Sequence, residues 1–211
     1  MPYLTDEEGK FLHKLARKTV EECVKAGKPI KIAVPEDTPK KLLEKAGIFV
    51  TLNTKKEGVE KQLRGCIGRV LPNVSLAQAT IDSAIDSALH DPRFSSVKSA
   101  ELPEIVVEIS VLTPPELIKV DNVKDYPKMI KVGRDGLIVE KGWNRGLLLP
   151  QVPIEQDPPW DEEKFLGWTC WKANLTMDQW QDSNTKIFKF QAEIFEEEEP
   201  NGKIFRKEIG E

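Results

Sequence analysis

The densest chemistry in the sequence lies in six consecutive residues, Leu63-Arg64-Gly65-Cys66-Ile67-Gly68. Residues two apart in an extended chain point the same way, so Arg64 and Cys66 are expected to share a face. Backbone N–H groups next to glycines and an arginine suit a phosphate or a carboxylate. A nearby cation also lowers the pKa of a thiol. The stretch therefore predicts an anion site at Arg64, Gly65 and Gly68, with Cys66 as a candidate nucleophile.

The same six residues also have a purely structural interpretation. Glycines permit a bend or a close backbone approach at the edge of a strand. A cysteine between them can be buried as a small, inert hydrophobic residue. The stretch is not a P-loop, because no Lys-Ser/Thr pair follows the glycines, and it is not a dinucleotide-binding fingerprint.

A second polar cluster follows the helix predicted to end near residue 90. His90, Asp91 and Arg93 come together around Pro92. One interpretation is helix termination, because the residue before proline avoids the helical region and a histidine can bind the last carbonyls. The other places Arg93 beside Arg64 in the anion site, with His90 as a weaker candidate base.

Two glycine-containing turns nearer the C-terminus supply the remaining candidates. Arg134 lies in the turn Gly133-Arg134-Asp135-Gly136, and Gln151 follows the apolar run that ends at Pro150. Loops positioned by a scaffold often carry sites, so Arg134 and Gln151 are candidate binding residues. Tight turns between strands need the same residue types for shape alone.

Composition limits the class of protein. The 211 residues are 39% hydrophobic and 31% charged, with a net charge of −4, as expected for a water-soluble globular protein. The acidic balance makes extended nucleic-acid binding unlikely by electrostatics. No apolar run reaches membrane-spanning length, and the acidic residues 1–8 lack a signal-peptide core. We therefore expect a cytoplasmic protein.

The cysteines and histidines exclude several kinds of site. Cys23, Cys66 and Cys170 form no C-x-x-C pair, which excludes zinc-ribbon and thioredoxin motifs. Only His13 and His90 are available for a metal site or a Cys–His dyad. The residues therefore predict reduced thiols and neither a metal nor a cofactor.

Local signals predict a mixed fold. The spacing predicts helices that open at Thr5, Thr38 and Ser75, and a further helix after Trp160. Strand-forming residues predict strands at 48–52, 59–68, 105–112, 130–132, 137–140, 147–149, 186–195 and 203–206. Because hairpins dominate the middle of the chain, we predict an α+β fold, with an antiparallel or mixed β-sheet flanked by helices. A small second lobe could be built from residues 28–47 or 117–131.

The chain resembles the AMMECR family over nearly its whole length, and residues 63–68 are the most specific marker. Other stretches similar to family motifs are Asp91-Pro92-Arg93-Phe94, Glu108-Ile109-Ser110-Val111-Leu112, Gly136-Leu137, Gly146 through Val152, Phe165-Leu166 and Cys170-Trp171-Lys172-Ala173. The family pattern has glycine where this chain has Asn174. The short form is similar to prokaryotic, archaeal members.

The resemblance implies a single AMMECR domain over residues 1–211 and no established reaction. A nuclear or regulatory role has been proposed for eukaryotic members of the family. Prokaryotic members are associated with Memo-like proteins and radical-SAM enzymes, which implies a shared modification pathway and a protein partner of either kind.

Three functional hypotheses follow. The first is an enzyme, or an enzyme component, in which Arg64 and Arg93 bind a small anion and Cys66 reacts with it. The second is a non-catalytic regulatory or binding module that recognises a protein, a nucleotide or RNA at the same cleft. The third is a structural subunit in which residues 63–68 only shape the sheet.

Overall fold

The computed structural model describes residues 2–56, 58, 60–71 and 73–208. Glu57 and Val59, on which the predicted turn and the start of a predicted strand fall, lie outside the described residues. The chain divides into two compact units, one formed by residues up to Leu112 with Glu193–Lys207 and the other by Thr113–Ala192. Together they have helices and two antiparallel sheets, so the predicted α+β class is confirmed.

Three α-helices and nine strands occur within the described residues. The helices are α1 (Asp6–Ala26), α2 (Leu76–Leu89) and α3 (Glu162–Lys172). The strands are β1 (Gly47–Thr54), β2 (Gln62–Arg69), β3 (Ile105–Leu112), β4 (Glu116–Leu117), β5 (Gly136–Lys141), β6 (Asn144–Leu148), β7 (Lys186–Phe190), β8 (Ala192–Glu197) and β9 (Ile204–Lys207). Short 3-10 helices cover Lys40–Leu43, Ser99–Glu104, Val123–Met129 and Gln179–Gln181.

The first unit is a five-stranded sheet in the order β2-β1-β3-β8-β9, with α1 and α2 against it. The Thr5–Glu8 capping box opens α1, because each residue's side chain accepts a hydrogen bond from the other's backbone N–H. The Ser75 hydroxyl likewise accepts from the Gln78 N–H to open α2. Alanines on the buried face of α2 let it lie close to β1 and β2. This close packing positions the Cys66 region.

The second unit is a four-stranded sheet in the order β4-β7-β5-β6, with α3 packed on β5 and β6. A Cβ atom on Gly146 would lie 2.3 Å from the Ala173 backbone nitrogen, so only glycine lets β6 approach the end of α3 this closely. Three residues of α3, namely Phe165, Leu166 and Cys170, are buried in the core of this unit. The unit thereby holds the C-terminal end of α3 against its edge strand.

Several element predictions were wrong in detail. Residues 130–132 form no strand, and the helix expected after Thr38 is only the 3-10 turn Lys40–Leu43. The Thr38 hydroxyl donates to the Pro35 carbonyl instead of capping that turn. The single strand predicted at 186–195 is two strands, β7 and β8, which belong to different sheets. Of the two segments from which a small second lobe could be built, residues 28–47 lie in the first unit, whereas 117–131 lie in the second.

Among the described residues, no helix combines the length and the apolar character that crossing a membrane requires.

Candidate functional site

The glycines of the 63–68 stretch are explained by close packing. A Cβ on Gly65 would lie 2.2 Å from the carbonyl oxygen of Ser87 in α2. A Cβ on Gly68 would lie 2.3 Å from the Phe49 ring and 2.6 Å from the Ile48 carbonyl oxygen. All three distances are too short for a Cβ atom. The two positions therefore let α2 and β1 touch the backbone of β2 directly.

Ser87 links the two strands on which the site is built. Its hydroxyl donates to the Val50 carbonyl oxygen at 2.7 Å and accepts from the Ile67 N–H at 2.9 Å. Val50 and Ile67 are opposite each other in the β1–β2 pair, so the Ser87 hydroxyl bridges the two strands by hydrogen bonds. Sequence reasoning missed Ser87, because a serine among small residues on a helix face gives no distinctive signal.

Asp91 and Arg93 satisfy the backbone of Cys66 at the outer edge of β2. The Cys66 N–H donates to Asp91 Oδ2 at 2.8 Å, and Arg93 Nη2 donates to the Cys66 carbonyl oxygen at 3.0 Å. The Asp91 carboxylate and the Arg93 guanidinium thus bind the N–H and the carbonyl of Cys66 as a neighbouring strand would. One of the backbone groups predicted to bind an anion therefore holds a carboxylate from this chain, and the Ile67 N–H is occupied by Ser87.

The predicted neighbours Arg64 and Arg93 do lie in one cluster, around the Phe94 ring. Their guanidinium carbons are 5.9 Å and 5.5 Å from its centroid. Arg64 is held by Glu101, through Nε at 2.7 Å and Nη2 at 3.1 Å, and its Nη1 donates to the Ser95 carbonyl oxygen. Its side chain is only 14% exposed. Arg64 is thus fully engaged within the chain.

Arg93 differs in what it leaves available. Its Nε and Nη2 donate to Asp91 at 3.0 Å and 2.7 Å, and this pair holds the pKa of the buried Asp91 carboxyl well below its usual range. The Arg93 side chain is 52% exposed. Within the described part of the chain its Nη1 has no hydrogen-bond partner. Arg93 is therefore the more exposed arginine of this cluster.

The Cys66 thiol is partly buried and is not activated. Thr51 Oγ1 donates to its sulfur at 3.3 Å. Burial raises the pKa of the Cys66 thiol above its ordinary value, and this outweighs the Thr51 hydrogen bond and the charge of Arg93. The predicted lowering of this pKa was wrong, because desolvation of the thiolate exceeds its attraction to the cation. Cys66 is a neutral thiol at neutral pH.

A lateral row of polar side chains crosses three strands at Cys66. Thr51 is opposite Cys66 in β2 and opposite Glu108 in β3. Burial raises the pKa of the Glu108 carboxyl, although Lys207 Nζ lies 3.2 Å from it. The row therefore carries a thiol, a hydroxyl and a carboxyl with weakened acidity. Glu108 was not predicted as a site residue, because it lay within an apolar strand pattern.

His90 is engaged away from the thiol. Its Nδ1 lies 2.9 Å from Asp86 Oδ1, and Arg69 binds the other oxygen of the same carboxylate at 2.7 Å. Within the described residues, the structure gives His90 no hydrogen bond to Cys66. Its predicted role as a base has no support from these contacts.

The candidates Arg134 and Gln151 lie in the second unit. Arg134 is paired with the buried Asp135, whose carboxylate also accepts from the Lys131 N–H at 2.9 Å. This arrangement closes the turn predicted there. Gln151 Oε1 is buried and has no hydrogen-bond partner within the described residues.

The tryptophans at the start of α3 and along it do not all enter the core. The Trp160 and Trp168 rings stack at 5.2 Å, and Trp168 meets Trp171 edge to face at 5.4 Å. Trp171 is 58% exposed. It lines an open cavity of about 550 Å³ together with Lys172, Asn174 and Leu175. The end of α3 is thus a second candidate site.

Comparison with known proteins assigns the chain to a family. The AMMECR1 family model matches residues 13–195. The chain belongs to the AMMECR1 family. The resemblance inferred from the 63–68 stretch is therefore confirmed.

The relatives of this AMMECR1 chain include archaeal proteins of nearly equal length. A Pyrococcus abyssi protein is 56% identical over 99% of this chain and 100% of its own length. A Methanocaldococcus jannaschii protein is 48% identical over 99% of this chain and 100% of its own length. The crystal structure of the uncharacterized protein PH0010 from Pyrococcus horikoshii is 55% identical, has a TM-score of 0.83, and covers 98% of this chain and 100% of that chain.

Within the AMMECR1 domain, two family stretches prove to be halves of one cluster. Arg64 and Cys66 come from the first stretch, and Asp91, Arg93 and Phe94 from the second. Glu101, the partner of Arg64, lies 37 residues further along the chain and was not predicted. Asp91 was already part of the predicted polar cluster with His90 and Arg93, but nothing local marks Glu101.

Proposed function

We propose that the chain is an enzyme, or an enzyme component, that binds a small anionic molecule at Arg93 beside Cys66. The observation that carries the proposal is the half-exposed guanidinium of Arg93, which contacts the carbonyl of Cys66 and retains an unbound Nη1 within the described residues. A guanidinium held by one carboxylate and open on its other edge suits a carboxylate or phosphate ligand.

In this proposal Asp91 positions the arginine. The bidentate pair fixes the plane of the guanidinium, so little side-chain entropy is lost when an anion binds. Arg64 supports the site through Phe94 and Glu101 without touching the ligand. Gly65 and Gly68 serve by letting α2 and β1 pack on the strand that carries Cys66.

The polar row supplies the groups that could react. Cys66 and Glu108 are separated by two strand spacings, which corresponds to about 10 Å between backbones. Thr51 lies between them, and its hydroxyl contacts the Cys66 sulfur. Glu108, whose pKa is raised by burial, is the candidate to exchange a proton with a bound substrate, and Cys66 is the candidate nucleophile.

The test is a binding screen with small carboxylates and phosphates, read by titration calorimetry. Arg93→Gln is expected to weaken binding of any hit about tenfold or more, because a charge-assisted hydrogen bond is lost. Arg145→Gln is the matched control, since Arg145 is also half exposed and paired with a carboxylate, Glu140, but lies in the second unit. Equal affinity in wild type and Arg93→Gln would refute the anion site.

Alkylation separates reaction from binding. Cys66 is expected to alkylate slowly near neutral pH and faster as pH rises above 9, because its pKa is raised. Cys23 and Cys170 are buried with pKa values of about 11 and should stay unmodified until the chain unfolds. If Cys66→Ser leaves ligand binding and turnover unchanged, the thiol takes no part in the reaction.

The alternative is a non-catalytic regulatory module that binds a protein, a nucleotide or RNA at the same residues. The neutral thiol and the paired Arg64 favour binding without covalent chemistry. A ligand retained by Cys66→Ala, with no product formed by wild type, would support this alternative. A cytoplasmic location, and a pathway shared with Memo-like or radical-SAM proteins, stay predictions from the sequence and the family resemblance.

A further inference from the structure

The C-terminal end of α3 is a platform that the Cys66 region does not explain. Trp171 is the exposed end of three adjoining indoles, in which Trp168 lies between Trp160 and Trp171. Because Trp168 is packed on both sides, the platform is held in place before any ligand arrives. An exposed aromatic face that rests against a second ring and borders a cavity is a candidate surface for a ligand.

The cavity beside Trp171 is not simply apolar. Of its lining residues, Trp171 and Leu175 offer apolar surface, whereas Lys172 and Asn174 offer a cation and an amide. Lys172 is exposed and has no carboxylate partner within the described residues. The volume of about 550 Å³ is that of an ordinary small-molecule site. The cavity therefore suits a ligand with a flat ring and a negative charge.

The backbone explains how Asn174 comes to line this cavity. Asn174 has a φ of 58°, the left-handed conformation that ends a helix. The Leu175 N–H donates to the Cys170 carbonyl and the Asn174 N–H to the Trp171 carbonyl, which is the Schellman pattern. Glycine favours this position, and asparagine is the other residue that adopts it readily. This chain thereby gains an amide where glycine would provide none.

We propose that the end of α3 binds a nucleotide unit, as a free mononucleotide or within a single strand. The base stacks on Trp171, the Lys172 ammonium contacts the phosphate, and the Asn174 amide contacts the edge of the base. Stacking on an aromatic side chain accepts any base, and an asparagine amide pairs with the two edge groups of adenine. An acidic protein can bind one nucleotide through a single local cation.

The test uses AMP, adenosine and a labelled single-stranded oligoadenylate, with calorimetry and fluorescence anisotropy. AMP should bind more tightly than adenosine, and Trp171→Ala should weaken both about tenfold or more. Lys172→Gln should abolish the difference between AMP and adenosine and reduce the salt dependence of AMP binding. With UMP as the comparison ligand, Asn174→Gly should reduce the preference for AMP over UMP several-fold.

Two controls isolate the site. Trp143 is fully exposed and does not line the cavity, so Trp143→Ala should bind AMP as wild type does. Adenosine carries no anion for Arg93, so Arg93→Gln should bind adenosine as wild type does, which separates this site from the anion site of the first unit. Binding of the oligoadenylate alone identifies a single strand as the source, and binding of AMP identifies the free nucleotide.

The proposal is overturned if none of the three probes binds, or if Trp171→Ala binds AMP as tightly as wild type. It is also overturned if Trp143→Ala loses as much affinity as Trp171→Ala, because exposed indoles would then be acting without the cavity. Thermal unfolding of each variant checks that it still folds. We expect all of them to fold, because Trp171, Lys172 and Asn174 are exposed.

Discussion

At the edge of β2 the arginines are paired with carboxylates, whereas at the end of α3 Lys172 has no carboxylate partner within the described residues and Trp171 exposes more than half of its side chain. Arg64 is bound to Glu101 and Arg93 to Asp91, and both arginines approach Phe94. Trp171 and Lys172 instead face an open cavity. The first region is rich in residues that could do chemistry, but most of that capacity is used to hold the strand edge.

The difference shows that a residue of the right chemical type is not always free to bind a ligand. A backbone N–H at Cys66 does bind an anion, but that anion is the chain's own Asp91. Within α3, Phe165 and Leu166 are buried, yet the last tryptophan of the helix is exposed. Which groups remain free depends on contacts between residues that are distant in sequence. The predictions below test the packed region first and the open region last.

The largest effect is expected from Gly65→Ala. The new Cβ would lie 2.2 Å from the Ser87 carbonyl oxygen, and a backbone atom of a packed helix cannot move aside easily. We expect the free energy of unfolding to fall by about 3 kcal/mol, as measured by urea denaturation. Gly142→Ala is the control: Gly142 has a φ of 59° and open space around it, so the loss there should be about 1 kcal/mol. Equal losses would mean that packing at Gly65 is not special.

The next effect concerns the carboxylate that holds Arg93. Asp91→Asn should lower the free energy of unfolding by about 2 kcal/mol at pH 7, because charge-assisted hydrogen bonds are weakened. The pKa of Asp91 is lowered by Arg93, so its stabilising effect is present above the unfolded value of about 4 and is lost as pH falls below it.

The difference in stability between wild type and Asp91→Asn should therefore shrink between pH 5 and pH 2. Asp82→Asn serves as the control, because Asp82 is 34% exposed and lies 3.9 Å from Arg69. This exposed pair should contribute less than about 0.5 kcal/mol. A gap between wild type and Asp91→Asn that stays constant through this pH range would contradict the ion pair.

Local signals were enough to predict much of the fold. The Thr5–Glu8 box, the Ser75 cap and the turn at Gly133 depend on residues within a few positions of each other, and the structure contains all three. The single strand predicted at 186–195 was wrong, because alternation along a chain does not say which sheet each part joins. The chain instead passes from β7 in one sheet to β8 in the other.

The candidate site was predictable only where its residues carry a charge or a thiol. Arg64, Cys66 and Arg93 were expected to lie together, and the structure brings them together around Phe94 and the edge of β2. Two supporting residues could not be predicted, since Glu101, which binds Arg64, and Ser87, which binds the Ile67 N–H, reach the site from separate elements. The thiol pKa was predicted in the wrong direction because a sequence shows a nearby cation but not the extent of burial.

A smaller effect is expected in the open region. Trp171→Ala should change the free energy of unfolding by less than about 1 kcal/mol, because more than half of the side chain is already exposed. Trp180→Ala is the matched control in the same unit, since Trp180 is 6% exposed and packs in the core. Its loss should be about 4 kcal/mol. If denaturation showed similar losses for both, Trp171 would be a core residue rather than a binding platform.

The smallest effect on stability is expected at Asn174, where backbone and side chain can be separated. Asn174→Gly keeps a residue that accepts the φ of 58° and should change the free energy of unfolding by less than about 0.5 kcal/mol. Asn174→Ala should destabilise the chain by about 1 kcal/mol, because alanine is strained in the left-handed region. Both variants lack the amide, so both should lose the preference for adenine equally. A preference that followed stability instead would show that the turn, and not the amide, shapes the cavity.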